Sequence, residues 1–372
     1  MHVLMSGGGT AGHIYPALTV AALFTSDGPD SVTYVGTASG PEARLVREAG
    51  VPFEVLPARG FDRSRPWSLL VALAVLGTSF LRCIVRMGKK RPDIVVGFGG
   101  YVCVPVSLAA IVLRIPLVLH EQNSVPGLAN RILSRWATAV AVTYSGSSAH
   151  LHSGTRVIVT GNPVRSAILE ADPARGRSRA GLPEDATVLL VFGGSRGSRH
   201  LNEAMVASRA TFLGIAPDVH VVHVTGRDEY ASVVSALESD ELSRYHVIDY
   251  TEDMGSLLAA ADVVIARAGA TSIAEITALG RPAVLVPYPY ATDDHQTLNA
   301  RGLVEQGGAL LVPDGMLDDP LFVDSVTTLL VDDGARATMS AASASVGRPD
   351  AAVRVARVIE DVAHGRATGD HR

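Results

Sequence analysis

The stretch Ser6-Gly-Gly-Gly-Thr-Ala-Gly-His13 decides the fold prediction, because it follows an apolar strand-like run and opens a helix-like one. A second glycine-rich stretch, Gly193-Gly-Ser-Arg-Gly197, has the same surroundings roughly 185 residues later. Such loops present backbone N–H groups beside the positive end of a helix, where phosphate is stabilised. Two of them, one in each half of the chain, predict two similar α/β domains that face each other across a cleft holding a diphosphate.

Short β-branched runs alternate with helix-like stretches, which is typical of parallel sheets built from βαβ units. In the first half these runs lie at 32–35, 94–96, 116–119, 140–142 and 157–159. A second series lies at 188–192, 219–224, 247–250, 263–266 and 283–286. The pattern predicts two Rossmann-like domains, 1–163 and 164–346, with a C-terminal helix at about 347–365 that packs back on the first domain.

Composition narrows the class of protein. A chain of 372 residues is long for a single core, and its net charge of −5 without a long cationic block argues against nucleic acid as a partner. The two cysteines, Cys83 and Cys103, can build neither a disulfide framework nor a Cys/His zinc site. The N-terminal residues lack the features of a secretion signal, so we expect a cytoplasmic protein.

One segment complicates that expectation. Residues 67–81 carry no charge, and five cations follow within ten residues: Arg82, Arg86, Lys89, Lys90 and Arg91. The segment is shorter than the roughly 20 apolar residues of a membrane span. It indicates either a buried helix with a solvated basic end or a helix on the membrane surface, with its cations near anionic headgroups.

The first loop matches the dinucleotide pattern G-x-G-x-x-G through Gly7, Gly9 and Gly12. That function also requires an acidic side chain at the end of the second strand, to hold ribose hydroxyls. The strand ends instead in Tyr34-Val-Gly-Thr37, which disfavours a dinucleotide site. A P-loop sequence is absent from the chain as well.

His13 lies just past the loop, near the start of the helix that Pro16 is expected to help begin. The helix dipole favours a neutral, proton-accepting imidazole at this position. We expect His13 either to act as a general base or only to bond a nearby carbonyl.

Two further motifs, Gly97-Phe-Gly-Gly-Tyr101 and His120-Glu-Gln-Asn123, follow apolar runs of the first half. They are expected at the carboxyl ends of strands, which is the ligand-binding edge of an open α/β sheet. Capping of the local loop by Glu121 or Asn123 remains the alternative.

In the second half, a strand-like run leads into Arg267-Ala-Gly-Ala-Thr-Ser-Ile-Ala-Glu275. Ser272 and Glu275 have the spacing of a capping box. Alternatively, Glu275 accepts hydrogen bonds from ribose hydroxyls while the N–H groups of Ala270 and Thr271 lie beside phosphate.

Arg165 lies in the segment between the two series, and His295-Gln296 follows the last strand-like run. An arginine can pair with phosphate and a glutamine amide can orient sugar hydroxyls, although surface roles remain possible for both. Because the chain has no D-x-D metal motif, we expect neither a metal nor a cofactor. A departing diphosphate would then be stabilised by N–H groups, helix dipoles and arginine.

Together these motifs resemble the MurG family of bacterial N-acetylglucosaminyltransferases, which are GT-B enzymes of glycosyltransferase family 28. The resemblance is carried, in family order, by Gly8-Gly-Thr-Ala-Gly-His13, Gly97-Phe-Gly-Gly-Tyr101, His120-Glu-Gln-Asn123, Gly161-Asn-Pro-Val-Arg165, Gly193-Gly-Ser195, Arg267 to Glu275 and Asp294-His-Gln296. It implies inverting transfer of N-acetylglucosamine from UDP-N-acetylglucosamine to the 4-hydroxyl of an undecaprenyl-diphospho-N-acetylmuramoyl-pentapeptide. It also implies a peripheral enzyme on the cytoplasmic face of the cell membrane, in contact with anionic lipid.

The resemblance implies a role for individual residues as well. His13 or Glu121 would be the base, and the donor-binding set would be Thr10, Ala11, Gly12, Asn123, Arg165, Ser195, Thr251, Ala270, Thr271, Ser272, Glu275, His295 and Gln296. Two positions depart from the family pattern: Ala11 replaces a usual glycine, and Thr251 stands where an aliphatic residue is expected to pair with uracil through its main chain.

Two other functions remain open at this point. A UDP-N-acetylglucosamine 2-epimerase also pairs two α/β domains around a UDP-sugar, but it needs no lipid acceptor. A non-catalytic UDP-sugar sensor would tolerate loss of His13.

Overall fold

The computed structural model describes residues 1–25, 31–57, 68–194 and 197–366. The chain divides into two compact units. The first unit comprises Met1–Pro163 and the stretch from Asp350 onwards, and the second comprises Val164–Pro349.

The first unit contains a seven-stranded parallel sheet in the order β3-β2-β1-β4-β5-β6-β7. Its strands are β1 (His2–Ser6), β2 (Ser31–Gly36), β3 (Phe53–Val55), β4 (Ile94–Gly97), β5 (Leu117–Glu121), β6 (Ala139–Val142) and β7 (Val157–Val159). Its helices are α1 (Ala11–Thr25), α2 (Glu42–Glu48), α3 (Ser68–Lys89), α4 (Cys103–Val112) and α5 (Leu128–Leu133). Central β1 is paired on both sides, with Met5 opposite Tyr34 in β2 and Val96 in β4.

The second unit contains a six-stranded parallel sheet in the order β10-β9-β8-β11-β12-β13. Its helices are α6 (Ser166–Leu169), α7 (Pro173–Ala180), α8 (Arg199–Ile215), α9 (Tyr230–Ser235), α10 (Met254–Ala260), α11 (Ala270–Ala278), α12 (His295–Glu305), α13 (Pro320–Val331) and α14 (Asp333–Val346). Its strands are β8 (Thr187–Phe192), β9 (Val219–Val224), β10 (Tyr245–Ile248), β11 (Val263–Ala266), β12 (Ala283–Leu285) and β13 (Ala309–Leu311).

The last helix, α15 (Ala351–Ala363), belongs to the first unit. It packs against α1 and strands β4, β5 and β6, and buries an apolar stripe that includes Val355, Ile359 and Val362. The opposite face of the sheet is covered by α3 and α4 through Cys83, Met87 and Val106.

The predicted α/β class with two parallel-sheet domains is confirmed, because the strands alternate with helices in both units. Several local predictions were wrong. The strand predicted at 247–250 runs from Tyr245 to Ile248, and α1 begins at Ala11, so that Pro16 lies inside the helix rather than at its start. The short edge strands β3 and β13 were not predicted.

Candidate active site

The candidate catalytic motifs of the first unit lie at the carboxyl ends of three neighbouring strands. The glycine-rich loop follows β1, the second glycine motif follows β4, and His120 and Glu121 are the last two residues of β5. Since β1, β4 and β5 are adjacent in the sheet, these residues meet at the edge where open α/β sheets bind ligands.

His13 is the third residue of α1 and is half-buried. Its Nδ1 lies 3.0 Å from the carbonyl oxygen of Gly8 and 3.2 Å from the hydroxyl of Thr10. Because a carbonyl oxygen only accepts, Nδ1 carries the proton of the neutral ring and Nε2 keeps its lone pair. Desolvation lowers the pKa of His13, and the hydrogen bond to Gly8 and two carboxylates offset only part of this effect. His13 is therefore a neutral imidazole whose Nε2 can accept a proton.

Two glycines let the neighbouring loop approach this imidazole. Gly99 has a φ of +96°, and a Cβ at this position would lie 3.1 Å from Nε2 of His13. Gly100 has a φ of +81°, and its Cβ would lie 2.4 Å from the carbonyl oxygen of Gly8. Gly100 excludes a side chain by conformation and by contact with backbone, whereas a side chain at Gly99 would be strained and tight against His13.

Glu121, the other candidate base, organises the loop that follows it. Its Oε1 accepts a hydrogen bond from the N–H of Asn123 at 2.9 Å. Its Oε2 accepts hydrogen bonds from the N–H of Gly127 at 3.1 Å and the amide of Asn130 at 2.8 Å. With both oxygens engaged, Glu121 has the loop-capping geometry, and the geometry favours His13 as the base.

His120 and Gln122 form a buried pair beside His13. The Gln122 amide donates to His120 Nδ1 at 3.0 Å and to the Phe98 carbonyl at 2.8 Å, and His120 Nε2 donates to the Gly161 carbonyl at 3.2 Å. Burial lowers the pKa of His120 to about 4, so this ring stays neutral. Oε1 of Gln122 has no hydrogen-bond partner among the described residues, and it lies 3.7 Å from where a Cβ on Gly99 would be.

The second unit repeats this arrangement at the carboxyl ends of β8, β11 and β12, which are adjacent in its sheet. Loops after these strands line a cavity of about 470 Å³. The cavity lining contains glycine-rich-loop residues, predicted donor-binding residues and residues not predicted from sequence: Gly193, Gly194, Gly197, Ser198, Arg199, His200, Arg267, Gly269, Ser272, Tyr288, Pro289, Tyr290, Gln296 and Asp314.

Arg267 is the buried cation of this cavity. Its guanidinium donates to Ser198 Oγ at 2.5 Å and to the Pro287 carbonyl at 3.0 Å, and it pairs with Asp314 at 2.5 Å. Burial opposes ionisation of Asp314, but hydrogen bonds from His200 and Arg267 outweigh it and lower the pKa of Asp314. The hydrogen bond to Asp314 in turn raises the pKa of His200. The cavity wall is thus a charged network centred on a fixed arginine.

Arg165 and Glu275, predicted to contact the diphosphate and the ribose, are paired with each other at 2.9 Å. Burial raises the pKa of Glu275, and Arg165 offsets only part of that rise. Glu275 lies in the second turn of α11, whose N-cap is Gly269 and has no side-chain cap. The capping box considered for Ser272 and Glu275 is therefore not formed.

The other predicted residues of the second unit follow β10, β11 and β12. Ala270 and Thr271 begin α11, so their N–H groups have no partner within the helix. Gln296 accepts from the N–H of Tyr288 at 2.9 Å, and His295 Nδ1 donates to the Thr292 carbonyl at 2.7 Å. Thr251 lies beyond β10, where its hydroxyl accepts from the N–H of Asp253.

Two consecutive residues before His295 have left-handed backbone conformations. Asp293 and Asp294 have φ values of 53° and 50°. Such conformations cost free energy in residues other than glycine and cluster at functional sites. They set the direction in which α12 begins, and hence the positions of His295 and Gln296.

Ser195 and Trp67 lie outside the described residues. Sequence reasoning assigned no role to several residues that the structure brings into the two sites, namely Glu42, Gln122, Ser198, His200, Arg267, Tyr288 and Asp314. Arg267 carried a usable signal, since it directly follows a strand at the ligand-binding edge. Asp314 carried none, because it is 47 residues distant from Arg267 in the chain.

Comparison with known proteins identifies the family. Residues 3–142 match the glycosyltransferase family 28 N-terminal domain, and residues 188–355 match the glycosyltransferase family 28 C-terminal domain. The chain belongs to glycosyltransferase family 28. The family predicted from the sequence motifs is therefore confirmed.

Two relatives within family 28 match almost the whole chain. A protein of Desulforudis audaxviator is 42% identical over 99% of this chain and 100% of its own length. A protein of Exiguobacterium is 41% identical over 97% of this chain and 99% of its own length. Both are named UDP-N-acetylglucosamine–N-acetylmuramyl-(pentapeptide) pyrophosphoryl-undecaprenol N-acetylglucosamine transferase.

Solved structures agree with the family 28 assignment. The crystal structure of Acinetobacter baumannii MurG is 28% identical, with a TM-score of 0.76 over 97% of this chain and 99% of that one. A putative UDP-N-acetylglucosamine 2-epimerase from Listeria monocytogenes has a TM-score of 0.70 over 98% of this chain and 97% of its own chain, but it is only 13% identical. This second likeness shows a shared fold and no more.

Proposed function

We propose that this chain transfers N-acetylglucosamine from UDP-N-acetylglucosamine to the 4-hydroxyl of an undecaprenyl-diphospho-N-acetylmuramoyl-pentapeptide, with inversion, as a step of peptidoglycan synthesis. The observation that carries this proposal is the end-to-end match to transferases named for that reaction, at 42% identity.

The first unit supplies the base. The acceptor 4-hydroxyl gives its proton to Nε2 of His13 while its oxygen attacks the anomeric carbon of the donor sugar. The bond between that carbon and the β-phosphate oxygen breaks, and UDP leaves with the electron pair. Nδ1 keeps its proton throughout, because it is held by the Gly8 carbonyl. The unpartnered oxygen of Gln122 beside Gly99 is available to accept a hydrogen bond from a sugar hydroxyl or amide.

The second unit holds the nucleotide. The cavity beside Gly193, Gly194 and Gly197 contains a buried guanidinium, and α11 directs unpaired N–H groups from its first turn. These groups stabilise the negative charge that develops on the departing diphosphate. The Glu275 carboxylate would accept hydrogen bonds from the ribose hydroxyls, and these would replace part of its hydrogen bonding to Arg165.

The acceptor's lipid places this function at a membrane surface. None of the described helices is long and apolar enough to cross a bilayer. Helix α3 buries Cys83 and Met87 but exposes Leu81 and Val85, at 62% and 58% of their full areas. One face of α3 therefore packs in the core, as the buried-helix alternative expects, and the other presents leucine and valine beside cations, which supports the membrane contact that we propose.

A second apolar and basic strip lies on α5 and the 3₁₀ turn that follows it. Leu128, Ile132 and Trp136 are 70%, 54% and 52% exposed, with Arg131 and Arg135 between them. Helices α3 and α5 both pack against α4, so the two strips belong to the same layer of the first unit. Apolar side chains flanked by arginine suit the boundary of an anionic leaflet.

A vesicle sedimentation experiment tests the membrane contact. Leu81→Ser with Val85→Ser should weaken binding to phosphatidylglycerol vesicles about tenfold, because each side chain loses favourable burial. The matched control is Leu321→Ser with Val331→Ser, two residues of the second unit that are exposed to a similar degree. If the α3 variant and the wild type bind the vesicles equally well, α3 is not part of the proposed membrane-binding surface.

A turnover assay tests the reaction itself. The purified protein receives UDP-N-acetylglucosamine with and without a short-chain lipid-linked muramoyl acceptor, and UDP release is followed. Acceptor-dependent release with formation of the disaccharide supports the transferase. Release of UDP with free amino sugar in the absence of acceptor would indicate the epimerase, and binding without turnover would indicate a sensor.

A further inference from the structure

A buried glutamate lies behind the first glycine-rich loop, and the mechanism above does not use it. Glu42 is the first residue of α2 and is completely inaccessible. Its Oε1 accepts hydrogen bonds from the N–H of Thr37 at 3.0 Å and from the hydroxyl of the same residue at 2.5 Å. Its Oε2 accepts a hydrogen bond from the N–H of Gly9 at 3.4 Å. Within the described ranges no cation pairs with this carboxylate, so its burial is costly unless these donors compensate for it.

The Gly9 N–H and the Gly8 carbonyl belong to the same peptide group. Glu42 accepts from the N–H side of that group, and Nδ1 of His13 donates to its carbonyl side at 3.0 Å. The peptide group is planar and delocalised, so its two ends are coupled. An acceptor at the N–H draws electron density towards the carbonyl oxygen and strengthens the bond that this oxygen receives.

We infer that Glu42 is a positioning residue, which orients His13 and increases its basicity through the Gly8–Gly9 peptide group. The inference rests on the proposed function, because it assigns Glu42 to the base of that reaction. By fixing this peptide, the carboxylate keeps a carbonyl oxygen in front of Nδ1 and so keeps the lone pair on Nε2. Its negative charge also stabilises the imidazolium that forms when the acceptor hydroxyl is deprotonated.

The same carboxylate does not suit a ligand-binding role. It reaches the end of β2, where a dinucleotide-binding protein places the acid that holds ribose. However, a Cβ on Gly8 would lie 2.9 Å from Oε1 of Glu42, so the loop covers the carboxylate from the ligand side. Glu42 thus serves the loop itself and not a bound nucleotide.

Other titratable groups near His13 come from three further elements. Glu121 and His120 on β5 act on it directly, while Tyr34 on β2 and Cys103 on α4 donate to the Gly7 and Gly99 carbonyls beside it. Burial raises the pKa of Cys103 to about 11 and raises the pKa of Tyr34 well above its ordinary value, so both stay neutral near pH 7. Glu42 and Glu121 are therefore the two carboxylates whose charge can act on His13 within the described part of the first unit.

Nitrogen NMR of the histidine rings tests the inference without any substrate. In the ¹⁵N-labelled wild-type protein, we expect neutral His13 to be the Nδ1–H tautomer. In Glu42→Gln, we expect the pKa of His13 to fall by about 0.5 to 1 unit, because a nearby negative charge is removed. Glu48→Gln is the matched control, since it makes the same change at an exposed position of the same helix, and it should leave this pKa unchanged.

Kinetics supply the second measurement. Glu42→Gln should lower kcat about two- to five-fold and move the acidic limb of the pH profile to lower pH, as expected for a weaker base. In the double variant His13→Ala/Glu42→Gln, the second change should cost nothing further, because the two residues act as a unit. A purely structural role of Glu42 would instead lower the residual activity of His13→Ala again and leave the pH profile in place.

The outcomes separate this inference from the proposed function. An Nε2–H tautomer in the wild type, or an unchanged pKa of His13 in folded Glu42→Gln, would overturn the inference even if transfer is observed. If Glu42→Gln does not fold, Gly9→Ala disturbs the same peptide group and should lower the pKa of His13, and an unchanged pKa in that variant would overturn the inference. Absence of transfer by the wild-type protein would count against the proposed function, while the NMR result would stand.

Discussion

In the first unit the glycine-rich loop after β1 has a buried carboxylate behind it, whereas the loop after β8 in the second unit lines a cavity with a buried guanidinium. In the first loop Glu42 accepts from the N–H of the Gly8–Gly9 peptide group at 3.4 Å, and His13 donates to the carbonyl of the same group at 3.0 Å. Arg267 contacts Ser198, which directly follows the second loop. The same strand-loop-helix unit thus places a half-buried imidazole beside one loop and a buried guanidinium beside the other.

This difference separates the two loops, which the sequence treats alike. Both are glycine-rich and both precede a helix, which favours phosphate binding at each. A loop whose N–H already donates to a carboxylate is a poorer phosphate site, because the fixed negative charge repels the ligand. We therefore expect the diphosphate of UDP to bind beside Gly193 and Gly194, and the loop of the first unit to serve the base.

The largest expected effect comes from the base. His13→Ala should lower kcat by about 10²- to 10⁴-fold, as expected for loss of a general base, and leave the Kd of UDP unchanged. Steady-state kinetics with the lipid-linked acceptor, together with calorimetric titration of UDP, measure both quantities. A variant with wild-type kcat would refute the role of His13, and one with weakened UDP binding would contradict the division of labour between the units.

The second effect concerns the nucleotide. Glu275→Gln keeps the shape of the side chain but removes its charge, and should raise the Kd of UDP about tenfold, which is the usual worth of a hydrogen bond to a charged group. The Kd of 2′,3′-dideoxy-UDP should hardly change, because it lacks both ribose hydroxyls. Glu203→Gln, an exposed position of the same unit, is the control. Equal losses for the two nucleotides would show that Glu275 supports the site only through Arg165.

A matched glycine pair compares the two loops directly. Gly9 and Gly194 have φ values of +83° and +90°, and a Cβ on either would clash with nothing. Alanine at each should therefore cost the same 1–2 kcal/mol or so of folding free energy, measured by urea unfolding. The kinetic effects should differ: Gly9→Ala should lower kcat, because it disturbs the peptide between Glu42 and His13, and Gly194→Ala should raise the KM for the donor.

Gly50→Ala is the control for this pair, since Gly50 also has a positive φ and open surroundings but lies at the end of α2. It should show the cost in stability with normal kinetics. Identical kinetic effects of Gly9→Ala and Gly194→Ala would mean that the two loops do not have different roles.

The sequence predicted the sheets well, because buried parallel strands are continuous β-branched runs that alternate with helices. It missed the three-residue edge strands β3 and β13, whereas the equally short edge strand β7 was found because its Val-Ile-Val sequence is fully β-branched. It placed β10 two residues late, because His246 interrupts an otherwise apolar strand. The His120 to Asn123 motif was found at the correct edge, since four polar residues directly after an apolar run are unusual.

The contacts within the sites were beyond reach of the sequence. No motif or spacing singles out Glu42 in the sequence, and its contact with Gly9 joins residues 33 positions apart. Glu275 and Arg165 were each assigned to the ligand, but their pairing with each other spans 110 residues. Sequence spacing fixes neighbours within a helix or strand, whereas such pairs follow from the packing of the whole unit.

The smallest expected effect is on stability and pH, and it compares one buried histidine of each unit. Burial lowers the pKa of His120 to about 4 and that of His223 to about 3. Both stay neutral in the folded protein, whereas the unfolded chain takes up protons below about pH 6.5. The free energy of unfolding should therefore fall as the pH falls, by about 1 kcal/mol per histidine between pH 6.5 and 5.5.

Replacement by glutamine should remove the contribution of each of these two histidines in turn. His120→Gln should flatten the pH dependence seen by tryptophan fluorescence, because both tryptophans, Trp67 and Trp136, belong to the first unit. His223→Gln should flatten it only in far-ultraviolet circular dichroism, which reports on both units. His150→Gln, at an exposed position, should change neither. Below pH 4 the destabilisation caused by His120 no longer grows, whereas that caused by His223 continues to grow down to about pH 3. If the free energy of unfolding of His223→Gln still falls with pH in that range, other groups control the acid stability of the second unit.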